Sequence, residues 1–266
     1  MKSSINTLVF TDLDGTLLDR DTYSWEPARE TIERLKSRGI PIIFCTSKTR
    51  AEIEYWQAEI GITCPFISEN GGAVFVPRGY FKRITLPYKT IGTYNILGFG
   101  TPYRELRAAL NKLRHFGEIL GFGDMTSTEI SRATGLTLGQ AAMAKHREYD
   151  EPFTFSGDEP GLKEAVAAAG LKLFHGGRFW HLTGNNDKGA ATKTLITLFR
   201  LSNPRISTIG IGNSMSDLPL LKAVDTPILV KDGGTAYSKI RLRGMLKIPK
   251  PGPKGWAQAI ELLEPT

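Results

Sequence analysis

The chain contains two stretches in which short apolar runs alternate with helix patterns. In the first helix pattern, Ala28, Ile32 and Leu35 fall on one face, and Gly39 follows as a stop signal. The apolar runs have the length and composition of buried parallel strands. They are residues 8–10, 40–45 and 66–67 in the first stretch, and 206–211 and 227–230 in the second. This alternation predicts an α/β fold with a Rossmann-like parallel sheet covered by helices.

The middle of the chain follows a different pattern. Two threonines there have capping-box spacing to a later Glu or Gln, in the pairs Thr126–Glu129 and Thr137–Gln140. The predicted elements are helices at 102–114 and 160–169 and strands at 153–155, 171–174 and 178–182. We therefore expect an inserted α+β cap. The expected division is a core formed by residues 1–84 and 185–266, and a cap formed by residues 85–184.

Two further expectations concern the junctions of this insert. The apolar run 73–76 is bracketed by Asn70-Gly71-Gly72 and Pro77-Arg78-Gly79, which predicts a hairpin or flap. We also expect the cap to close over a substrate, with hinges near residues 84–90 and 183–186.

Composition narrows the class of protein. Of the 266 residues, 41% are hydrophobic and 23% are charged, as in an ordinary globular protein. No apolar run approaches the roughly 18 residues of a membrane span, so we expect no membrane contact. The two cysteines, Cys45 and Cys64, lack metal-like spacing, so we expect them to be reduced thiols and the protein to be cytoplasmic. The net charge of +7 is dispersed except at residues 239–254, a loop-like segment rich in Pro and Gly. We therefore expect a small anionic substrate rather than nucleic acid. We expect the protein to be a monomer or a homodimer.

The segment Asp12-Leu13-Asp14-Gly15-Thr16 directly follows the first predicted strand. Ligands bind at the carboxyl ends of the strands of a parallel sheet, and two carboxylates two residues apart can converge on one cation. A carboxylate nucleophile needs no deprotonation at neutral pH, and a cation removes its repulsion from a phosphate. A second acid can protonate the leaving alcohol. Taken alone the tetrapeptide is also a common surface turn, but the apolar strand before it favours a site.

The other predicted strand ends carry polar side chains of complementary chemistry. Thr46 and Ser47 end the second strand, where a hydroxyl and a backbone N–H can hold a phosphoryl oxygen. Lys188 begins the first helix after the insert, and its ammonium can neutralise both a phosphate and an aspartate cluster. Asn213 and Asp217 flank the turn after residues 206–211 and are placed to complete a metal site, although a helix cap is an alternative role for them.

In order and spacing these motifs resemble the haloacid dehalogenase superfamily, with the insert in the position of a large α+β cap. Five further segments of core and cap resemble the mannosyl-3-phosphoglycerate phosphatase family: residues 46–50, 66–71, 147–149, 177–180 and 186–189. Related sugar phosphatases usually have Thr-Gly-Arg where this chain has Thr46-Ser47-Lys48. The resemblance therefore covers the whole core and reaches into the cap.

The resemblance implies specific roles. Asp12 is the implied nucleophile, Asp14 the general acid/base, and Thr46 and Lys188 hold the phosphate. Mg²⁺ is the implied cofactor, and its implied ligands are Asp12, Asp14, Asn213 and Asp217. The implied substrate is a small phosphorylated glycoside, mannosyl-3-phosphoglycerate or a close glycosyl analogue. The implied substrate-binding residues are Ser47, Lys48, Glu69, Asn70, Arg147, Arg178, Trp180 and Asn186.

Within that set, Arg147 and Arg178 are expected partners of a carboxylate or phosphate, or else members of structural salt bridges. Trp180 is expected to pack on a sugar face or in the core. His175 and His181 are expected to be strand residues, because the implied mechanism needs no imidazole.

One departure from the family pattern bears on the function. The fourth family motif usually reads Gly-Asp-x-x-Asn-Asp, whereas this chain has Asn213 at the first Asp and Ser216 at the Asn. An amide oxygen brings no charge, so weaker Mg²⁺ binding is expected. Two alternatives to the phosphatase therefore stay open: a catalytically weakened binding or regulatory protein of the same fold, and a phosphosugar mutase.

Overall fold

The structure is a computed structural model of the chain, and it describes residues 6–176, 178–232 and 237–263. The strands are β1 (Thr7–Thr11), β2 (Ile42–Phe44), β3 (Phe66–Ser68), β4 (Ala73–Pro77), β5 (Lys89–Ile91), β6 (Tyr94–Gly98), β7 (Gly117–Gly121), β8 (Asp150–Gly157), β9 (Lys172–Gly176), β10 (Phe179–Thr183), β11 (Ser207–Gly212), β12 (Thr226–Lys231) and β13 (Leu246–Pro251). The helices are α1 (Arg29–Ser37), α2 (Arg50–Ile60), α3 (Tyr103–Lys112), α4 (Ser127–Thr134), α5 (Leu138–Ala144), α6 (Glu159–Ala168), α7 (Lys188–Arg200), α8 (Leu218–Leu221) and α9 (Gly252–Glu261).

Five strands from the two ends of the sequence form one parallel sheet. Their order is β13-β12-β11-β1-β2, and each neighbouring pair is parallel. A single parallel bridge between Cys45 and Ile67 continues the sheet toward β3. Because β1 lies between β2 and β11, the loops that follow these three strands meet at one edge of the sheet. The predicted α/β fold is confirmed.

Both faces of the parallel sheet are buried. On β1, Val9 packs into an apolar cluster that includes Ile32 of α1 and Trp256 of α9. Leu8 and Phe10 point to the opposite face and pack with side chains of α7, among them Leu195 and Leu198. This two-sided burial explains why β1 has a continuous apolar run instead of an alternating pattern.

A second sheet is antiparallel and has the order β3-β4-β6-β5. The hairpin predicted around residues 73–76 is therefore present, as the pair β3–β4. Residues 89–98, which we assigned to the cap from the sequence, pair with β4 in this sheet. The proposed division at residue 85 stays a prediction, and this pairing favours a boundary after Gly98.

The third sheet, antiparallel in the order β7-β8-β10-β9, is the centre of the insert. Helices α3 and α6 cover one face through an apolar cluster that includes Leu106, Leu162 and Leu182. Both predicted capping boxes are present, at the starts of α4 and α5. The two chain crossings into the insert lie side by side, since a Cβ on Gly184 would approach the Thr101 backbone nitrogen to 2.6 Å. Within the described ranges, no helix is long and apolar enough to cross a membrane.

Candidate active site

Four loops at the carboxyl edge of the parallel sheet meet around Asp12. The backbone N–H of Asp12 donates to the carbonyl of Ile211 at 3.0 Å, so the loops after β1 and β11 start in register. Gly15 has φ of +72°, and a Cβ there would lie 2.4 Å from Nδ2 of Asn213. Only glycine tolerates both this conformation and this approach, which explains its place in the Asp-x-Asp-Gly segment.

Lys188 is the centre of the charge network. Its Nζ donates to Oδ1 of Asp12 at 2.8 Å and to Oδ1 of Asp217 at 2.6 Å. The Lys188 and Asp217 residues are 2% and 0% exposed, so this ammonium is held away from water between two carboxylates. Residues 12, 188 and 217, which the sequence placed at separate loops, are thus brought into direct contact.

Burial sets the acidity of Asp12. Desolvation, and then the nearby Asp217 carboxylate, raise the pKa of Asp12 to about 7, although Lys188 acts in the opposite direction. Burial lowers the pKa of Lys188, but the carboxylates of Asp12 and Asp217 outweigh it and raise that pKa overall. The lysine therefore stays charged, and additional positive charge at this site favours the ionised form of Asp12.

Asp217 uses both carboxylate oxygens within the protein. While Oδ1 accepts from Lys188, Oδ2 accepts from the backbone N–H groups of Asn213 and Ser214, each at 3.0 Å, and from the Ser214 hydroxyl at 3.1 Å. Asp217 therefore fixes the loop after β11 and orients Lys188. The metal contact predicted for it stays a prediction.

Asp232, which sequence reasoning missed, lies beside Asn213. The Nδ2 atom of Asn213 donates to Oδ1 of Asp232 at 3.2 Å and to the backbone carbonyl of Asp14 at 3.3 Å. Arg20 also pairs with Oδ1 of Asp232, at 3.1 Å. The signal that could have identified Asp232 is its position, directly after β12 at the same edge of the sheet as Asp12.

The donors around this point suit a hard cation. The Asp12 carboxylate and the Asp14 carbonyl offer oxygen, the ligand type of Mg²⁺. Nδ2 of Asn213 faces the Asp14 carbonyl in this structure, so the amide oxygen of Asn213 joins them when that side-chain amide is flipped. In the described part of the chain, no group of three His, Cys, Asp or Glu side chains is placed to hold a metal ion. The fit therefore depends on backbone and amide oxygen as well as on carboxylate.

The segment after β2 divides between the cavity and a second charge pair. Ser47 lines the cavity, whereas Thr46 is fully buried and is not part of its wall. Nζ of Lys48 lies 3.0 Å from Oδ1 of Asp14 and 3.4 Å from Oε1 of Glu52. Burial lowers the pKa of Lys48, but these two carboxylates raise it on balance. Lys48 holds the Asp14 carboxylate in this structure, and the substrate contact predicted for it stays a prediction.

Glu69 and Arg147 join the cap to the core. The carboxylate of Glu69 accepts from the backbone N–H groups of Glu148 at 2.9 Å and Tyr149 at 2.7 Å. Arg147 donates to the carbonyl of Ser47 at 2.9 Å. We call this group of five residues the clasp: Ser47, Glu69 and Arg147–Tyr149. Both predicted ligands, Glu69 and Arg147, thus make contacts between the cap and the core, and their contact with substrate stays a prediction.

Two asparagines face the cavity from the core. Asn70 and Asn186 line it, and the Oδ1 atom of each is buried without a hydrogen-bond partner. Nδ2 of Asn186 donates, at 3.4 Å, to the carbonyl oxygens of Glu69 and Asn70. A buried amide oxygen without a partner is costly, so both residues are suited to receive a hydrogen bond from a ligand.

The cap supplies the far wall of the cavity. Arg178 lines it while donating to the carbonyl oxygens of Ala133 and Thr134, each at 3.1 Å. Trp180 lies on the opposite face of the cap sheet, in the apolar cluster under α3 and α6. The structure therefore does not bring Trp180 to the cavity, whereas its neighbour His181 does line it. Gly177, in the same family-like segment, lies outside the described residues.

Together the core and cap enclose a cavity of about 880 Å³. Asp12, Lys188 and Asn213 line it at one end, and we call them, together with Asp217 that contacts Lys188, the core end. We call Phe174, Arg178, Phe179 and His181 the cap end. A cavity of this size accommodates a small phosphorylated molecule. A buried carboxylate beside a buried ammonium at one end is suited to phosphoryl transfer.

Comparison with known proteins agrees with this geometry. The family model described as haloacid dehalogenase-like hydrolase matches residues 9–91. The chain is 45% identical, over 95% of both chains, to a glucosyl-3-phosphoglycerate/mannosyl-3-phosphoglycerate phosphatase of Methanococcoides burtonii. It is 41% identical, again over 95% of both, to the protein of that name in Persephonella marina. A mannosyl-3-phosphoglycerate phosphatase of Pyrococcus horikoshii is 37% identical over 84% of this chain and 90% of its own.

Solved structures show the same fold at low identity. A Thermoplasma acidophilum protein superposes with a TM-score of 0.68 at 18% identity, covering 97% of this chain and 98% of its own. A subclass IIB sugar phosphatase of the haloacid dehalogenase superfamily superposes with a TM-score of 0.59 at 14% identity, covering 84% and 87% of the two chains. Identity to the curated relatives over nearly the full length decides the assignment: this chain belongs to the mannosyl-3-phosphoglycerate phosphatase family of haloacid dehalogenase-like hydrolases.

Proposed function

We propose that this chain is a Mg²⁺-dependent phosphatase that hydrolyses a glycosyl-3-phosphoglycerate, with mannosyl- or glucosyl-3-phosphoglycerate as substrate. One observation carries the proposal: Asp12 directly follows β1, contacts the Lys188 ammonium at 2.8 Å, and lines a cavity whose far wall is formed by the cap. The names of the relatives support this substrate. The free thiols Cys45 and Cys64 support a reducing compartment such as the cytoplasm.

In the proposed reaction, an Asp12 carboxylate oxygen attacks phosphorus, and the bond from phosphorus to the ester oxygen breaks. Asp14 gives its proton to the leaving alkoxide, which departs as the glycosylglycerate hydroxyl. Asp14 then takes a proton from water, whose oxygen attacks the aspartyl-phosphate, so that phosphate leaves and Asp12 is regenerated.

The surrounding residues have supporting roles in this proposal. Lys188 neutralises the phosphoryl oxygens, and Thr46 and Ser47 hold them by hydroxyl and backbone N–H. A bound Mg²⁺ would supply positive charge between the nucleophile and the phosphate, held by Asp12, the Asp14 carbonyl and Asn213. Lys48, 3.0 Å from Asp14, fixes the direction of that carboxylate.

The direct test is phosphate release by the purified protein from mannosyl- and glucosyl-3-phosphoglycerate, with Mg²⁺ and with EDTA. We expect Mg²⁺-dependent release, and loss of at least about 10⁴-fold in Asp12→Asn, because an amide is not a nucleophile here. Glu164→Gln, at an exposed position on α6, is the matched control and should keep wild-type activity. If the wild-type protein releases phosphate from neither substrate, or if Asp12→Asn keeps strong activity, the proposal is refuted. A requirement for a sugar bisphosphate would favour the mutase alternative.

A further inference from the structure

The cap end of the cavity contains a histidine that is held in one orientation. Nδ1 of His181 lies 2.9 Å from Oδ2 and 3.1 Å from Oδ1 of Asp150. Asp150 is fully buried, and His181 has 12% of its side chain exposed. A carboxylate accepts, so Nδ1 of His181 carries the proton that it shares with Asp150, and in the neutral imidazole Nε2 then has a lone pair that accepts a hydrogen bond.

Strand register explains why these two side chains meet. His181 on β10 is opposite Pro152 on β8, and Asp150 lies two residues before Pro152, on the same face of the sheet. His181 is also opposite Phe174 on β9. The rings of His181 and Phe174 are stacked, with centroids 4.9 Å apart and planes within 3°.

A third contact limits the ring from its edge. A Cβ on Gly176 would lie 3.0 Å from both Cδ2 and Nε2 of His181. Glycine at this position therefore leaves room for the ring without displacing it. Three elements thus fix the imidazole: the carboxylate of Asp150, the ring of Phe174 and the bare backbone of Gly176.

The reaction proposed above leaves this arrangement without a role. Proton transfer there uses Asp14, and phosphate is held at the core end. His181 belongs to the cap end, where Phe174 and Phe179 provide apolar surface of the kind that packs on sugar rings. An accepting Nε2 needs a donor, and among the groups of the substrate only hydroxyls donate, since the phosphate and carboxylate are anionic.

We propose that His181, oriented by Asp150, is a specificity residue whose Nε2 accepts a hydrogen bond from a hydroxyl of the glycosyl group. This inference rests on the proposed function, because it concerns the part of the substrate remote from the phosphate. Asp150 is a positioning residue, which acts through His181 and does not touch the substrate.

Two substitutions of His181 separate its two nitrogens. In His181→Asn, the side-chain amide can still donate to Asp150 but has no atom at the Nε2 position, whereas Gln reaches that position with an acceptor oxygen. We expect His181→Asn to lower kcat/KM for the glycoside about 10- to 100-fold, mainly through KM, because one hydrogen bond to a polar ligand is lost. His181→Gln should recover much of the loss.

The same variants are also measured on a second substrate, an aryl phosphate, which is a phosphate ester without a sugar. Its hydrolysis should stay within about threefold of wild type in both variants, because the core end is unchanged. Asp150→Asn should resemble His181→Asn, since an amide that donates to Nδ1 moves the proton to Nε2 and removes the acceptor. His115→Gln, an exposed histidine outside the cavity, is the matched control.

Equal losses on the glycoside and the aryl phosphate would show a structural role and overturn the inference, as would unchanged KM for the glycoside in His181→Asn. If the wild-type protein hydrolyses the aryl phosphate but neither glycoside, the proposed function fails and the inference fails with it. If the wild type hydrolyses the glycoside and only the predicted KM effects are absent, this inference alone is wrong.

Discussion

The two ends of the cavity are built in opposite ways. At the core end, Asp12, Lys188 and Asp217 are almost fully buried, and the Lys188 ammonium links the two carboxylates through contacts of 2.6 to 2.8 Å. At the cap end, Arg178 is exposed, and of the residues that define that end only His181 has its side chain fixed by a buried carboxylate. Burial strengthens electrostatic interactions and makes each one costly to change. The core end is therefore suited to the chemistry common to all substrates, and the cap end to discrimination between them.

After the loss of the nucleophile in Asp12→Asn, the largest expected effect comes from Lys188→Met at the core end. Removing the ammonium leaves two buried carboxylates unpaired, which should cost about 3–5 kcal/mol of stability. We expect kcat to fall about 100- to 1,000-fold on both the glycoside and the aryl phosphate. Thermal unfolding and steady-state kinetics measure these two effects, and Lys193→Met, at an exposed site on the same helix, is the control. A loss confined to the glycoside would remove the distinction between the two ends.

The next effect concerns the missing charge at position 213. Asn213→Asp should tighten Mg²⁺ binding about tenfold, because a carboxylate adds direct Coulomb attraction. Asp232→Asn should weaken it by about two- to fivefold, since Asp232 lies 3.2 Å from Asn213 and contributes charge from farther away. Calorimetric titration of the protein with Mg²⁺ measures both constants without substrate. If Asn213→Asp binds Mg²⁺ with unchanged affinity, the amide of Asn213 already binds the ion as well as a carboxylate does.

A smaller effect should arise at the clasp, which joins the cap to the core. Burial raises the pKa of Glu69 to about 8, against the lowering effect of Arg147. Because the folded protein then binds this proton more tightly than the unfolded chain, the contribution of Glu69 to stability is largest below about pH 4.5 and declines as the pH rises toward 8. Glu69→Gln should remove this decline, so the difference in Tm between variant and wild type should change steadily between these pH values. A constant difference would contradict the pKa assignment.

The smallest effect is expected for Arg178→Gln at the cap end. Its guanidinium is exposed, and exposed charges are screened by water and salt. We expect KM for the glycoside to rise about two- to fivefold at low salt, and less at high salt, with the aryl phosphate unaffected. Kinetics at two ionic strengths measure this. An effect as large as that of Lys188→Met would show that Arg178 binds the anionic group directly.

Sequence reasoning identified the core end more completely than the cap end. Asp12, Thr46, Lys188 and Asn213 follow strands or begin a helix, and the structure places all four at the carboxyl edge of the parallel sheet. Their positions could be predicted because a strand end and the loop after it are local features. The register of β10 could not, and one residue of register decides that Trp180 packs under the helices while His181 faces the cavity.

Contacts between distant segments also escaped prediction. The carboxylate of Glu69, a predicted substrate ligand, accepts from backbone N–H groups 79 and 80 residues later in the chain, a contact that no neighbouring residue indicates. Asp232 follows the strand next to β11, a neighbour that only the strand order of the sheet reveals. Each such contact depends on how whole elements pack, which no local pattern specifies.

The amino-acid sequence by itself determined the strand–helix alternation, the inserted α+β segment and the residue types at the strand ends, because periodicity, capping and turn chemistry act over a few neighbouring residues. Tertiary structure alone decided which carboxylates share Lys188, how Glu69 joins the cap to the core, and that Asp150 orients His181. The physical reason is that strand order and register bring these side chains together. Burial then shifts their pKa values and fixes their hydrogen-bond partners only once the elements have packed.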